Sequence, residues 1–121
     1  MLRCLIVDDS PQFLEAARSL LERQGITVIG VANNGAEALE HAARLRPDVA
    51  LVDINLGPES GFDLADRLHD ESARDGTRVI LISTRAELDY ADLIEGSTAV
   101  GFLPKAALSA NAITELLAQP A

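Results

Sequence analysis

Lysine is almost missing from this chain. Lys105 is the only one among 121 residues, and arginine supplies the rest of the ten basic side chains. Against them stand 19 acidic residues, which leaves a formal net charge of −9. That balance argues against direct nucleic-acid binding, which needs a basic patch to meet the phosphate backbone. It also disfavours an anionic membrane surface. Cysteine is equally scarce. A lone Cys4 excludes an internal disulfide, and its place inside an apolar run reads as a buried, inert thiol. Tryptophan is absent and aromatic residues make up 3% of the chain, so any core must be built from Leu, Ile, Val and Ala. No apolar run approaches the length of a membrane span. The N-terminal stretch is too short for a signal-peptide core and lacks a small-residue cleavage site. These absences together lead to the expectation of a cytoplasmic protein without a membrane partner.

What is present is a hydrophobic fraction of 48%, enough for a real core. The length suits one domain spanning residues 1–121, with no output domain in this chain. Short apolar runs alternate with segments of helical period, the pattern of βαβ units around a parallel sheet. Strands are expected at residues 3–7, 26–31, 49–52, 77–82 and 99–103. Ser10-Pro11 reads as an N-cap followed by proline at the first helical position. Phe13, Ala16, Ala17, Leu20 and Leu21 then repeat at helical spacing, and Gly25 is the expected stop. Asn33 or Asn34 caps a second helix with Ala38, Leu39, Ala42 and Leu45 inward. Residues 54–60 read as a loop and 61–71 as a third helix with Leu64, Ala65 and Leu68 facing in. Residues 73–76 read as a polar turn. A fourth, weakly amphipathic helix is expected near 86–95, carrying Leu88, Ala91 and Leu93. A fifth begins near Ser109 or Ala110 with Ile113, Leu116 and Leu117 inward, and residues 119–121 read as a frayed end.

The chemistry sits where the apolar runs stop. Asp8 and Asp9 follow Leu5-Ile6-Val7, Asp53 follows Val49-Ala50-Leu51-Val52, and Ser83 follows Val79-Ile80-Leu81-Ile82. Lys105 follows the run that ends in Phe102-Leu103-Pro104. In an open parallel sheet, ligands bind at the carboxyl ends of the strands. Three carboxylates, a hydroxyl and an ammonium should therefore converge in one cleft. Adjacent acids repel and need a compensating cation. Magnesium prefers oxygen ligands, commonly one or two carboxylates with waters and phosphate oxygens. Asp53 is open to three readings: ligand, nucleophile able to form an aspartyl phosphate, or turn residue. The Asn55 backbone carbonyl is a further candidate ligand. Ser83 can donate to a phosphoryl oxygen, and Lys105 can act toward it as a point charge.

The order of these groups, each beside its own strand, resembles the receiver domain of two-component response regulators. The matching stretches are Leu5-Ile6-Val7-Asp8-Asp9-Ser10, Val52-Asp53-Ile54-Asn55-Leu56, Leu81-Ile82-Ser83-Thr84 and Gly101-Phe102-Leu103-Pro104-Lys105. They span essentially the whole chain. The resemblance implies an α/β, flavodoxin-like doubly wound five-stranded parallel sheet of order 2-1-3-4-5 with five helices. It implies Asp53 as phosphoacceptor. It also implies Mg²⁺ bound by Asp8, Asp9 and Asp53, directly by Asp9 and mainly through water by Asp8, with the Asn55 backbone carbonyl as a further ligand. Ser83 would be the switch hydroxyl, Lys105 the phosphate-binding lysine and Phe102 the switch aromatic, with ordinary core as the alternative for Phe102. The donor would be a sensor histidine kinase or a histidine phosphotransfer protein. The receiver of the signal would be a downstream protein or an output domain, and a homodimer through helix 4, strand 5 and helix 5 is among the contacts implied. Two departures stand out. Gly57-Pro58 appears where family members often have Pro-Gly, and Thr84 appears where a small alanine is frequent.

Three other readings stay open at this point. A small Mg-dependent phosphatase with an aspartate nucleophile uses similar groups, but usually places the nucleophile after the first strand. A flavin-binding module of the same fold needs a Ser-, Thr- and Gly-rich loop there, where this chain has Asp8-Asp9. A degenerate receiver would be a docking module independent of phosphorylation, and the complete set of acidic, hydroxyl and basic residues counts against it.

Overall fold

Five short apolar runs become five parallel strands because each is covered on both faces and needs no polar alternation. The computed structural model describes residues 2–71, 77–84 and 91–118. In chain order the elements are β1 (Arg3–Val7), α1 (Pro11–Arg23), β2 (Thr27–Ala32), α2 (Gly35–Leu45) and β3 (Val49–Asp53). Then come β4 (Asn55–Leu56), β5 (Glu59–Ser60), α3 (Gly61–Glu71), β6 (Arg78–Ser83), α4 (Ala91–Glu95), β7 (Gly101–Pro104) and α5 (Ala110–Ala118). A 3-10 turn, Lys105–Ala107, follows β7. The large sheet has the order β2-β1-β3-β6-β7, all parallel, which is the expected 2-1-3-4-5 arrangement of a flavodoxin-like fold.

Alternate side chains of each strand enter two apolar layers. Leu5, Val7, Ala50, Val52, Val79 and Leu81 meet α2 and α3 through Ala38, Ala42, Leu64, Ala65 and Leu68. Cys4, Ile6, Val49, Leu51, Ile80 and Ile82 meet α1 and α5 through Leu14, Ala17, Leu21 and Ile113. Burial pushes the Cys4 thiol up to about 12, so it is inert, as the sequence implied.

The helix ends follow local chemistry. Ser10 accepts from the Phe13 N–H, with Pro11 at the first helical position. Gly25, at φ +93, closes α1 in a Schellman motif. Its N–H donates to Glu22, and the Ile26 N–H donates back to Leu21. Asn34, rather than Asn33, caps α2 by accepting from the Glu37 N–H at 2.9 Å. Ser109 caps α5 by accepting from the Ala112 N–H at 3.0 Å.

Several expectations shift. Strands expected at 26–31, 77–82 and 99–103 begin one or two residues later, because the first residue of each run leaves a turn. In α1 the buried line is Leu14, Ala17 and Leu21, while Ala16 is exposed. In α4 it is Ile94 that packs on the core, whereas Leu93 is 58% exposed. The segment expected as a plain loop at 54–60 holds a two-stranded hairpin, with Asn55 opposite Ser60 and Leu56 opposite Glu59. Its two-residue turn puts Gly57 first at φ +62, a conformation that glycine adopts without a Cβ clash. All peptide bonds among the described residues are trans, the one before Pro104 included. The expectations for 73–76, for Ala86 and Leu88, and for 119–121 lie outside the described residues. Among those described, no helix is long and apolar enough to cross a membrane.

Candidate functional site

The sheet order reverses between β1 and β3, and in folds of this kind ligands bind at such a reversal, at the carboxyl ends of the strands. Register brings the polar groups to one level. Val7 lies opposite Val52, so Asp8 comes level with Asp53. Asp53 lies opposite Ile82, and Ser83 opposite Pro104. The positions picked out by sequence therefore share one edge, across four neighbouring strands.

Carboxylate oxygens of Asp8, Asp9 and Asp53 lie within 4.8 Å of one another. Asp8 and Asp53 are buried and Asp9 is exposed. Lys105 reaches in from the turn after β7. Its Nζ is 2.5 Å from Asp8 Oδ2 and 3.3 Å from Asp53 Oδ2. The Asp8 contact is an ion pair without hydrogen-bond geometry, so Asp8 Oδ2 is a buried oxygen with no hydrogen bond. The other oxygens are aimed by the backbone. Ser10 N–H donates to Asp8 Oδ1 at 2.9 Å, and Asn55 N–H donates to Asp53 Oδ1 at 3.1 Å. Burial raises the Asp53 carboxyl above its ordinary range. The Asn55 N–H and Lys105 oppose that rise, while the Asp8 charge adds to it.

Ser83 is 1% exposed at the end of β6, and Thr84 beside it faces solvent. The Asn55 side chain is exposed. Phe102 is not at the acidic cluster. It is buried in the layer under α2 and α3, with Ile94 and Ala99 packed on the same layer.

Three residues that the sequence reading did not single out for the site also shape it. Phe13, in the first turn of α1, lies under Lys105, with the ammonium 4.3 Å from the ring centroid. Gly61 donates to the Ile54 carbonyl at 2.8 Å, and a Cβ there would run into the Asp53 carbonyl oxygen and the Ile54 Cα. Glu59 accepts from the Gly35 N–H with both oxygens at 3.2 Å, tying the hairpin to the start of α2. An aromatic residue one helical turn past an acidic pair is a usable signal for Phe13. Gly61 and Glu59 depend on how two loops approach, which no local pattern encodes.

The response regulator receiver domain family matches residues 4–118. The chain belongs to that family. It is 37% identical over 105 residues to a transcriptional regulator of Pseudomonas aeruginosa, covering 87% of this chain and 50% of that protein. It is 37% identical over 106 residues to a protein-glutamate methylesterase/protein-glutamine glutaminase of Syntrophus aciditrophicus, covering 83% of this chain and 29% of that one. Among solved structures, the signal receiver domain of NarL from Mycobacterium tuberculosis superimposes with a TM-score of 0.82 at 30% identity, covering 98% of each chain. This receiver domain thus spans half or less of those two curated relatives. The acidic cluster, with its buried oxygen lacking a hydrogen bond, fits a hard divalent cation, which takes oxygen ligands.

Proposed function

We propose that this receiver domain accepts a phosphoryl group on Asp53 and passes the change to a protein-interaction surface. One observation carries the reading: three carboxylates cluster around a site with one ammonium, which pairs with Asp8 and Asp53, and a buried Asp8 oxygen is left without a hydrogen bond. The surplus is two negative charges, the amount a divalent cation neutralises. Asp8, Asp9 and Asp53 would hold Mg²⁺ with the Asn55 carbonyl, and the ion would supply charge neutralisation at the phosphoryl oxygens.

Every other step belongs to the chain. The donor is a phosphohistidine of a sensor histidine kinase or a phosphotransfer protein. An Asp53 carboxylate oxygen attacks phosphorus, a P–O bond forms as the P–N bond breaks, and the imidazole leaves with its electron pair. The Asn55 N–H orients Asp53 by holding Oδ1, which leaves Oδ2 facing Lys105. Transfer of this kind depends on in-line placement and charge balance more than on proton transfer. Lys105 then pairs with a phosphoryl oxygen, and Ser83 donates to another. Phe102 follows Ser83 as the switch aromatic. The change emerges at α4, β7 and α5, where Leu93 and Val100 are exposed. That face would meet a downstream protein, an output domain or a second copy, within a cytoplasmic two-component pathway.

The test uses a small phosphodonor such as acetyl phosphate and intact-mass measurement. One phosphoryl group should be gained with Mg²⁺ and none with a chelator. Labelling that is indifferent to chelation would overturn the metal-assisted reading.

A further inference from the structure

We infer that Phe13 is a positioning residue for Lys105, holding its ammonium over the acidic site through the face of the ring. The inference rests on the reading of Lys105 as the group that meets the phosphoryl oxygens. A lysine side chain is a point charge on a flexible four-carbon stem. Among the described residues, the Lys105 ammonium meets three charged or aromatic partners: Asp8, Asp53 and the Phe13 ring, at 2.5, 3.3 and 4.3 Å. The two carboxylates are also the groups a divalent cation would engage, and when they do so their hold on the ammonium weakens. The ring is the one neutral partner of the three. Its electron-rich face attracts the ammonium without competing for the metal.

Phe13 itself is firmly placed. Its N–H donates to Ser10 Oγ at 3.3 Å in the first turn of α1, and its side chain packs on the layer shared with α5. The cap that starts α1 next to Asp8 and Asp9 therefore also sets the ring. The Lys105 side chain is only 15% exposed, so the contact is largely shielded from water, where attraction to an aromatic face is stronger. Aromaticity, beyond simple apolar bulk, is what this position requires.

Because Lys105 is the only lysine, lysine labelled at the ε-carbon gives one NMR signal for the whole chain. In the wild type its ε-protons should be shifted upfield by the ring current, in metal-free and Mg²⁺-loaded protein alike. Phe13→Leu should remove that shift and slow phosphorylation from a small phosphodonor by about threefold to tenfold. Phe13→Tyr, which keeps the aromatic face, should retain both. Ring-fluorinated phenylalanines at position 13 keep the shape and weaken the face, so the rate should fall stepwise with fluorination. They also serve if the leucine variant does not fold. An ε-signal unmoved by Phe13→Leu would overturn the inference, as would a rate flat across the fluorinated series or a tyrosine variant as slow as leucine. Failure of the wild type to label at all would instead sink the phosphoacceptor reading, which the ε-signal does not test.

Discussion

At Asp53, burial and charge work against the ionised form. Burial comes first in raising its pKa and the Asp8 charge adds to it, against the Asn55 N–H and Lys105. The sign of the stability effect follows. A carboxyl whose folded pKa lies above its unfolded value contributes stability that is fully present below the unfolded value, near the ordinary 3.8, and lost as pH rises through the folded value. In metal-free protein at neutral pH, Asp53→Asn should therefore melt higher than wild type. The gap should close as pH falls toward the ordinary carboxylate range. Paired melting curves in chelator would check this, and a variant that melts lower at neutral pH would contradict it. Gly61 supports the same residue from behind. Gly61→Ala forces a Cβ against the backbone at Asp53 and Ile54 and should cost about 1–3 kcal/mol, read from denaturant unfolding. Its phosphorylation rate should fall as well. Asp8, Asp9, Asp53 and Lys105 were legible in the sequence because each interrupts or ends a run of buried residues. Phe13 was legible only as one more apolar residue of a helix, since its second face toward Lys105 appears once β7 is placed beside the site.

At the scale of elements, the hairpin of β4 and β5 decides where the Asn55 backbone sits. It is a small element, and the bond from Gly35 to Glu59 fastens it to α2. A Cβ at Gly35 would meet the Glu59 carboxylate, the far end of a flexible side chain, and would push it off the Gly35 N–H. A carboxylate at a helix N-terminus is stabilising by about 0.3–1 kcal/mol when exposed. Glu59→Ala should lose that much and leave the fold intact. The Gly35 amide should exchange with solvent faster in the variant. An unchanged Gly35 exchange rate would mean the bond does no fastening. The helices were legible to within a residue or two where a cap or glycine marked the end, as with Ser10, Gly25 and Ser109. Residues 54–60 were read as a loop because a pair of two-residue strands has no periodicity, and Leu93 took the place of Ile94 because a single-turn amphipathic pattern is ambiguous.

The whole molecule follows from the alternation of fully apolar strands with helices, which leaves few topologies once crossovers are constrained. The order of the sheet, with its reversal between β1 and β3, is what gathers residues 8, 9, 53, 83 and 105 from distant parts of the chain. The family match over residues 4–118 agrees with that architecture, and relatives such as the transcriptional regulator of P. aeruginosa are about twice as long as the matched region. The central claim is that a phosphoryl group is carried by one carboxylate at that reversal. Its most direct measurement is borohydride trapping after treatment with phosphodonor and Mg²⁺, which reduces an acyl phosphate to an alcohol, followed by peptide mass mapping. The account predicts one homoserine, at position 53, and none in Asp53→Asn. Trapping at another carboxylate, or an undiminished phosphoryl label on Asp53→Asn, would contradict it.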